Sequence, residues 1–313
     1  MSKVAVLKGG RSLEREVSLR SGANVEAALR RLGHDVVGID VDQHLVKTLR
    51  AEAPDAAFVA LHGRGGEDGT VQELLEILEI PYIGSGVRAC ERSVDKVVAK
   101  AIMRAAGIPT PDSYAFSENA FRELGAADTL ADIRQTLGLP LVVKPAKQGS
   151  ALGVTIAREA AEVPKALMSA LSYDDRVLLE RFIPGRELAV SVLGTDDPRT
   201  LPVVEPVPKK RESYDFEARY TAGMTEFIAP ADLTDDQAAE ASRLALECYR
   251  EIGCRCFGRV DMILGDDGRL WVLEIDTIPG LTDTSLMPKA AQAAGMGFDE
   301  LISRVLDMAA LGG

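Results

Sequence analysis

This 313-residue chain is poor in tryptophan, histidine and cysteine, with one, three and four residues of each. Cys254 and Cys256 form a C-x-C pair, but no second Cys/His pair follows at the spacing of a zinc site. We therefore expect reduced thiols in the core or at the surface. The cysteines indicate no function.

Positive charge is also scarce. Lys and Arg total 36 against 48 Asp and Glu, so the net charge is −12, which argues against nucleic acid or an anionic membrane as a partner. No apolar run is long enough to span a bilayer, and the opening segment MSKVAVLKGG lacks the form of a signal peptide. We expect a cytoplasmic protein with a large core and two or three domains.

Predicted strands and helices alternate in the first part of the chain. The segment KVAVLKGG is typical of a buried strand, DVVGIDV and AAFVALHG predict two further strands, and amphipathic helices follow the first and third. This order predicts a parallel sheet with helices on its faces. A helix in SVDKVVAKAIMRAAGIPTP is predicted to open a second domain, and VLLERFIPGRELAVSVLG predicts two strands around a Pro-Gly turn.

Two acids stand one residue apart on a predicted strand. The segment LWVLEID carries Glu274 and Asp276, and side chains at i and i+2 of a strand share a face. GRVDMIL precedes it across a GDDG turn. If the second Asp and the Gly are the central turn residues, Asp261 lies opposite Glu274 and Arg259 opposite Asp276.

Such a cluster needs a cation, because two carboxylates ~4 Å apart repel by roughly 4 kcal/mol at an effective dielectric of about 20. A hard divalent ion with oxygen ligands is one candidate. The alternative is a solvated sheet face on which Arg259 neutralises an acid. A turn of odd length would place the acids on different faces.

Three loops rich in glycine could bind ligands. VVKPAKQGSALGV joins two predicted strands, offers backbone N–H groups to phosphates, and carries Lys144 as a fixed charge; a hairpin with a mobile tip is the alternative. KGGRSLEREVSL brings Glu14 to a helix start, where it either holds an ammonium group or complements the helix dipole. LHGRGGEDGT carries His62 at a strand end.

Eight segments together resemble the D-alanine–D-alanine ligase family of the ATP-grasp superfamily, in the order of that family and nearly end to end. They are GGRSLEREVSLRSG, ALHGRGGEDGTVQ, PYIGSG, SVDK, VVKPAKQGSALGV, YDFEARY, GRVDMIL and LEIDTIPGLTDTSL. Each motif alone is weak, but all of them in register are specific.

The resemblance implies an α/β (α+β) chain with an ATP-grasp fold. An N-terminal Rossmann-like parallel-sheet domain would span 1–92, followed by ATP-grasp subdomains at 93–183 and 184–313. The implied reaction begins when ATP phosphorylates the carboxylate of one D-alanine. The amine of a second D-alanine then attacks the acyl phosphate, and D-alanyl-D-alanine, ADP and phosphate leave. A homodimer is implied, with ATP and D-alanine as its partners.

The resemblance also assigns binding roles. The contacts to ATP would be Lys96, Lys144, Ser150, Glu180, Arg181, Phe182, Ile183, Glu187 and Arg219. Two Mg²⁺ ions, with Mn²⁺ able to substitute, would be held by Asp261, Glu274 and Asp276. The amino-acid substrates would contact Glu14, His62, Arg259, Gly280, Ser285 and Leu286.

The implied catalytic residues are Glu14, Ser150, Tyr220, Arg259 and Gly280. In this assignment Glu14 orients the first ammonium group, and Arg259 with the Gly280 backbone stabilises the tetrahedral oxyanion. The carboxylate of the second substrate meets Ser285 and Leu286. Ser150 and Tyr220 join Glu14 when a lid around residues 206–228 closes.

The chain departs from the family pattern at two positions. Asp276 replaces the usual Asn, which adds charge but keeps an oxygen ligand, so magnesium binding should be retained or tightened. Arg219 replaces the usual Lys, and its planar fork is not equivalent to an ammonium group. A ligase that uses D-lactate or D-serine as second substrate, or a non-catalytic ATP-binding regulatory protein, remains an alternative.

Overall fold

The computed structural model describes residues 2–209, 214–221 and 223–311. Three four-stranded sheets form its framework, together with one two-stranded sheet. No helix in those ranges combines the length and the apolar composition needed to cross a membrane. Of the predicted lid, residues 210–213 and 222 lie outside the described ranges.

The N-terminal sheet is parallel, as predicted, and has the strand order β2-β1-β3-β4. Its strands are β1 (Lys3–Lys8), β2 (Asp35–Asp40), β3 (Ala56–Val59) and β4 (Tyr82–Ile83). The helices of this part are α1 (Arg15–Arg31), α2 (Leu45–Glu52), α3 (Thr70–Ile77) and α4 (Val87–Val94). The predicted alternation of strand and helix is therefore confirmed.

The central sheet is antiparallel, with the order β5-β8-β6-β7. Its strands are β5 (Ser113–Ser117), β6 (Leu141–Pro145), β7 (Thr155–Ala157) and β8 (Arg176–Arg181). The accompanying helices are α5 (Lys96–Ala105), α6 (Glu118–Glu123), α7 (Leu130–Leu137) and α8 (Val163–Leu171).

Helix α5 starts later than the sequence indicated. Ser93 belongs to the preceding helix α4, and Asp95, which has an extended backbone, separates that helix from α5. The Asp95 carboxylate accepts hydrogen bonds from the backbone N–H groups of Val97 and Val98, which satisfies donors that an uncapped helix start would leave unpaired. Lys96 is thereby fixed at the first helical position.

The C-terminal sheet has the order β10-β9-β13-β14. Its strands are β9 (Gly185–Leu193), β10 (Arg199–Thr200), β13 (Phe257–Gly265) and β14 (Leu270–Asp276), and the two-stranded sheet pairs β11 (Glu205–Pro208) with β12 (Thr225–Ile228). The helices are α9 (Phe216–Tyr220), α10 (Asp235–Ile252), α11 (Leu286–Ala293) and α12 (Phe298–Leu306).

The strands on either side of the predicted Pro-Gly turn do not pair with each other. β8 belongs to the central sheet and β9 to the C-terminal sheet, so the turn at Pro184 carries the chain from one sheet to the other. The cavity described below lies on this crossing.

The β13–β14 turn is one residue longer than predicted. The N–H of Gly265 donates to the carbonyl of Arg269 at 2.8 Å, which leaves a loop of three residues ending at Gly268. Gly268 has φ +79°, the left-handed conformation that such loops favour. On its own, this odd length would have put the acids on different faces.

A β-bulge restores the predicted pairing. The register shifts just after Asp261, so that Leu273 of β14 has no partner on β13. Beyond the bulge Asp261 lies opposite Glu274, and Arg259 lies opposite Asp276. The prediction for the four charged residues is confirmed, although the predicted turn was wrong.

One hydrophobic core joins the N-terminal and C-terminal sheets. Val4, Val6 and Phe58 of the N-terminal sheet share it with Phe257 at the start of β13 and with residues of α11 and α12. The rings of Phe58 and Phe257 lie 6.5 Å apart. This packing fixes the loop ends of the N-terminal sheet relative to the acidic hairpin.

Arg255 adds a polar clamp at the same junction. Its guanidinium donates to the carbonyls of Gly84, Ala310 and Leu311 and lies 4.8 Å from the ring centre of Tyr82. The C-terminal segment is thereby held against β4, where Ala310 forms a bridge with Tyr82.

Replacing Arg255 with Met should lower the free energy of unfolding by about 2–4 kcal/mol, because three carbonyl groups and an aromatic face lose their cation. Urea unfolding measures this loss. The control Arg304→Met removes an exposed pair with Glu300 and should cost about 0.5 kcal/mol or less. Equal losses in both variants would refute the clamp.

Candidate active site

Two adjoining cavities lie where the three large sheets converge. The first, which we call the amino-acid cavity, contains these predicted residues: Glu14, His62, Lys96, Ser150, Arg219, Tyr220, Arg259, Glu274, Asp276, Gly280, Ser285 and Leu286. The second, the nucleotide cavity, contains Lys96, Lys144, Glu180, Arg181, Phe182, Ile183, Glu187, Arg219 and Glu274. Lys96, Arg219 and Glu274 line both cavities.

Glu14 enters the amino-acid cavity from the loop between β1 and α1. It is 2% exposed, and its Oε1 accepts a hydrogen bond from the Ser150 hydroxyl. Its other oxygen, Oε2, is buried without a hydrogen-bond partner among the described residues. A buried carboxylate oxygen left unpaired is costly, so this atom is suited to receive a cationic group from a ligand.

The pKa of Glu14 is raised to about 7. Burial is the main cause and the nearby Glu67 carboxylate adds to it, whereas the Ser150 hydrogen bond lowers the pKa. Burial also raises the pKa of Tyr220, which keeps its phenol protonated. The Tyr220 hydroxyl lies 2.6 Å from Ser150 Oγ. Because Ser150 gives its own proton to Glu14, Tyr220 is the donor to Ser150.

The loop that carries Ser150 is folded over Glu14 and packed against it. Ser150 and Ala151 have φ of +53° and +57°, values that non-glycine residues rarely adopt. A Cβ on Gly149 would lie 3.3 Å from Glu14 Oε2. In this structure the alternative of a hairpin with a free tip is therefore wrong, because the tip closes on another part of the site.

His62 and Glu67 form the wall beside Glu14. His62 Nδ1 lies 3.3 Å from Glu67 Oε1, and Nε2 lies 3.1 Å from the Ser21 hydroxyl. Burial lowers the pKa of His62, so the ring is neutral at pH 7. Burial raises the pKa of Glu67 to about 8, with the Asp276 charge adding to the effect.

Sequence reasoning did not single out Glu67, although it lies in the glycine-rich loop that drew attention to His62. It also missed Tyr214, whose ring lies 4.6 Å from the Arg219 guanidinium and whose carbonyl accepts from Arg219 Nε at 2.9 Å. An aromatic residue five positions before the arginine was the only available signal. Tyr214 lines both cavities.

Glu274 and Asp276 of the acidic hairpin line the amino-acid cavity, Asp261 lines neither cavity, and all three charges are already paired. Arg259 donates to both oxygens of Asp261 at 2.6 and 2.9 Å, and its third nitrogen lies 3.2 Å from Asp276. Lys96 Nζ lies 3.3 Å from Glu274. The alternative prediction had two parts. Its solvated sheet face is wrong, because Arg259 and Asp261 are buried. Its second part, that Arg259 neutralises an acid, is confirmed.

The three carboxylates offer the oxygen donors that Mg²⁺ prefers. Burial alone would raise the pKa of Glu274, but Lys96, Lys144, Arg219 and Arg259 outweigh it and lower the pKa to about 2. This carboxylate is therefore ionised and able to bind a cation. In the described parts of the chain, no three acidic, His or Cys side chains are arranged to hold a metal ion. The role of Asp261, Glu274 and Asp276 as metal ligands stays a prediction.

Gly280 and Ser285 lie in the loop that follows β14. Ser285 Oγ accepts from the N–H of Thr282 at 3.0 Å, which sets the hydroxyl at the start of α11. A Cβ on Gly280 would approach this oxygen to 2.7 Å, so only glycine fits there without displacement. The carbonyl and N–H of Leu281 bond to Asn24 and Ser21 of α1, which ties this loop to the N-terminal sheet.

The nucleotide cavity has a cationic and partly apolar wall. Lys144 on β6 donates to Glu180 on β8 at 2.7 Å. Burial raises the pKa of Glu187 on β9, and its carboxylate accepts from the N–H of Tyr214. Val142, Ile156, Ile183, Ile263 and Leu273 supply the apolar surface. A flat heterocycle linked to an anionic group would match this combination.

Comparison with known proteins agrees with this geometry. The family described as D-ala D-ala ligase C-terminus matches residues 102–307, and D-ala D-ala ligase N-terminus matches residues 44–85. The D-alanine--D-alanine ligase of Carboxydothermus hydrogenoformans is 44% identical over 305 residues, with 97% of each chain covered.

Solved structures give the same result. The D-alanine--D-alanine ligase of Bacillus anthracis, solved with ATP, superposes with a TM-score of 0.82 at 32% identity, covering 98% of this chain and 97% of that one. A D-Ala:D-Ser ligase from Enterococcus faecalis gives 0.82 at 26% identity, covering 98% of both chains. The antiparallel sheets on either side of the nucleotide cavity form an ATP-grasp fold. The chain belongs to the D-alanine–D-alanine ligase family.

The unpaired Glu14 carboxylate should cost stability. Its pKa is about 7 in the folded protein against an ordinary 4.5, so stability is lost as pH rises through that interval. Glu14→Gln should raise the free energy of unfolding by less than about 1 kcal/mol at pH 5 and by about 3 kcal/mol at pH 8. Urea titrations of both proteins at the two pH values measure this difference. A difference that does not change with pH would contradict it.

Proposed function

We propose that this protein is an ATP-dependent ligase that joins two D-alanine molecules into D-alanyl-D-alanine, with release of ADP and phosphate, for peptidoglycan precursor synthesis. The observation that carries the proposal is the buried Glu14 carboxylate, with one unpaired oxygen, on the wall of a cavity that shares Lys96, Arg219 and Glu274 with a second one suited to a nucleotide. The close similarity to named ligases over nearly the whole chain supports the same reaction.

In this proposal the first D-alanine binds with its ammonium group on Glu14 Oε2. Its carboxylate then points to the junction of the two cavities, lined by Lys96, Arg219 and Glu274. A carboxylate oxygen attacks the terminal phosphorus of ATP, the bond from that phosphorus to the bridging oxygen breaks, and ADP leaves. Arg219 and Lys96 would offset the charge that builds up on the transferred group.

The second D-alanine binds with its carboxylate at the start of α11, near Ser285 and Leu286. Its neutral amine attacks the acyl carbon, a C–N bond forms, and the carbonyl oxygen becomes an oxyanion. Arg259 and the Gly280 N–H would stabilise that charge. Collapse of the tetrahedral species breaks the bond between carbon and the phosphate oxygen, and the departing phosphate takes up the proton that the amine loses. The hydrogen-bonded chain Tyr220–Ser150–Glu14 keeps the loop closed, which excludes water from the acyl phosphate.

Magnesium, with manganese as a substitute, fits the donor chemistry of the hairpin. Asp261, Glu274 and Asp276 would hold it, in exchange for part of their pairing with Arg259 and Lys96. When bound, the ions would neutralise phosphate charge. We also propose the division into domains at 1–92, 93–183 and 184–313 and a homodimeric state, which rest on the resemblance to the family, and a cytoplasmic location, which rests on the sequence pattern.

The reaction is tested by measuring ADP release with Mg-ATP and D-alanine, with products identified by mass. Turnover with D-alanine that yields the dipeptide, and none with L-alanine, is the expected result. A mixture of D-alanine with D-lactate or D-serine tests the alternative second substrates, and we expect the dipeptide of D-alanine to dominate. ATP binding without turnover would instead support a regulatory protein and direct attention to Arg219 and Asp276.

Asp276→Asn should raise the magnesium concentration needed for half-maximal rate several-fold, because a negative ligand is replaced by a neutral one. Initial rates across a magnesium titration at fixed ATP measure this. Asp266→Asn, on the exposed β13–β14 turn, is the matched control and should leave the titration unchanged. An unaltered magnesium dependence in Asp276→Asn would remove this residue from the proposed ligands.

A further inference from the structure

Glu180, on the wall of the nucleotide cavity, has two lysine partners. Lys144 Nζ lies 2.7 Å from its Oε1, and Lys100 Nζ lies 2.5 Å from its Oε2. All three side chains are buried, Lys100 completely. One negative and two positive charges therefore share a site of low polarity, and their sum is a single positive charge.

Lys100 and Lys144 differ in their access to the nucleotide cavity. Lys144 and Glu180 line the cavity, whereas Lys100, on α5, lies behind them. Its ammonium group also donates to the Thr110 hydroxyl at 2.6 Å and to the Pro111 carbonyl at 3.3 Å. Lys100 is fully buried and is not among the residues that line the nucleotide cavity. A ligand in that cavity therefore does not contact Lys100.

Lys144 and Glu180 alone would form a neutral pair. The field of Lys144 would then be largely cancelled inside the cavity, and an anionic ligand would gain little from it. A third, positive group behind the carboxylate removes this cancellation. Coulomb interactions in a buried site act over such distances with little screening.

Lys100 and Glu180 are both charged near neutral pH. Burial lowers the pKa of Lys100 to about 8, while Glu180 opposes that shift, so the amine remains mostly protonated at pH 7. Burial alone would raise the pKa of Glu180, but the two lysines outweigh it and hold the pKa below its ordinary value.

We propose that Lys100 is a positioning residue that neutralises Glu180, so that Lys144 presents an uncancelled positive charge to the phosphates of a nucleoside di- or triphosphate. Lys100 acts through Glu180 and Lys144 and does not touch the ligand. The identity of that ligand as ATP rests on the proposed function. The charge arrangement itself rests on the contacts of these three side chains.

The test is nucleotide binding to Lys100→Met, measured by calorimetry with ATP, ADP and adenosine. Methionine keeps most of the length and the apolar character of the side chain, and removes its charge together with the hydrogen bonds to Thr110 and Pro111. We expect about 10- to 30-fold weaker binding of ATP and ADP, from the loss of one charge within the site. Adenosine, which carries no phosphate, should bind within about twofold of the parent protein. The KM for D-alanine should also stay within about twofold.

Equal weakening for adenosine and ADP would overturn the proposal, because Lys100 would then support the cavity as a whole. Unchanged binding of all three ligands would overturn it as well. Thr110→Val is the matched control, since it removes a hydrogen bond of Lys100 and keeps the charge. That variant should bind ADP like the parent.

A second comparison does not depend on the stability of Lys100→Met. In Lys100→Met/Glu180→Gln both opposite charges are gone, and Lys144 again carries an uncancelled charge. The ratio of adenosine to ADP dissociation constants should therefore return towards the parent value, because the net charge of the three positions is again +1. A ratio that stays low in the double variant would contradict the electrostatic role. If the parent binds ADP but does not join D-alanine, the proposed function fails and this inference is unaffected.

Discussion

The pairing of clustered acids with buried cations is the constraint on which this structure depends. Asp261, Glu274 and Asp276 lie on one face of a hairpin, and Arg259 and Lys96 hold them there. These cations come from different parts of the chain, β13 and the start of α5. Asp261 is buried and the other two acids are half-buried, and an unpaired ion in a protein interior costs several kcal/mol, so the cluster depends on these cations. The charges at the site are therefore balanced only when the C-terminal hairpin and helix α5 are correctly assembled.

The exception to this balance is the functional feature. Glu14 has one satisfied oxygen and one unsatisfied oxygen, and burial, together with the nearby Glu67 carboxylate, raises its pKa to about 7. The fold tolerates the unpaired oxygen because other contacts hold the surrounding segments in place. Phe58 packs on Phe257, and two hydrogen bonds join α1 to Leu281. A site that must bind a cation cannot also be optimal for stability without it. The nucleotide cavity shows the opposite imbalance, with an excess positive charge around Glu180.

Much of this arrangement was predictable from sequence, because it rests on local patterns. Strand alternation and the order of strands and helices define the parallel sheet, and motifs in register bring the site residues to two cavities. The pairing of Asp261 with Glu274 was predicted through an assumed two-residue turn. The real turn has three residues, and only the bulge at Leu273 restores the pairing. A bulge has no reliable signal in one sequence, since it depends on how the completed sheet twists.

Contacts between distant segments were not predictable. Lys8, at the end of β1, pairs with Glu26 at 2.5 Å, while its stem crosses Gly22 of α1, so this lysine is structural. The role inferred for Lys100 depends on Glu180, 80 positions later in the numbering. The switch from β8 to β9 looked like a hairpin because a Pro-Gly turn has the same local signature within one sheet and between two. Charge balance and sheet exchange are properties of the assembled protein.

The central claim is that the two cavities carry one reaction through an acyl phosphate. The most direct measurement uses D-alanine labelled with ¹⁸O in both carboxylate oxygens, with Mg-ATP, and mass analysis of the phosphate released. The account predicts dipeptide formation with one labelled oxygen transferred to each phosphate, because that oxygen bridges carbon and phosphorus in the intermediate. Dipeptide formed with unlabelled phosphate would contradict it, since the amino acid would then have been activated in another way.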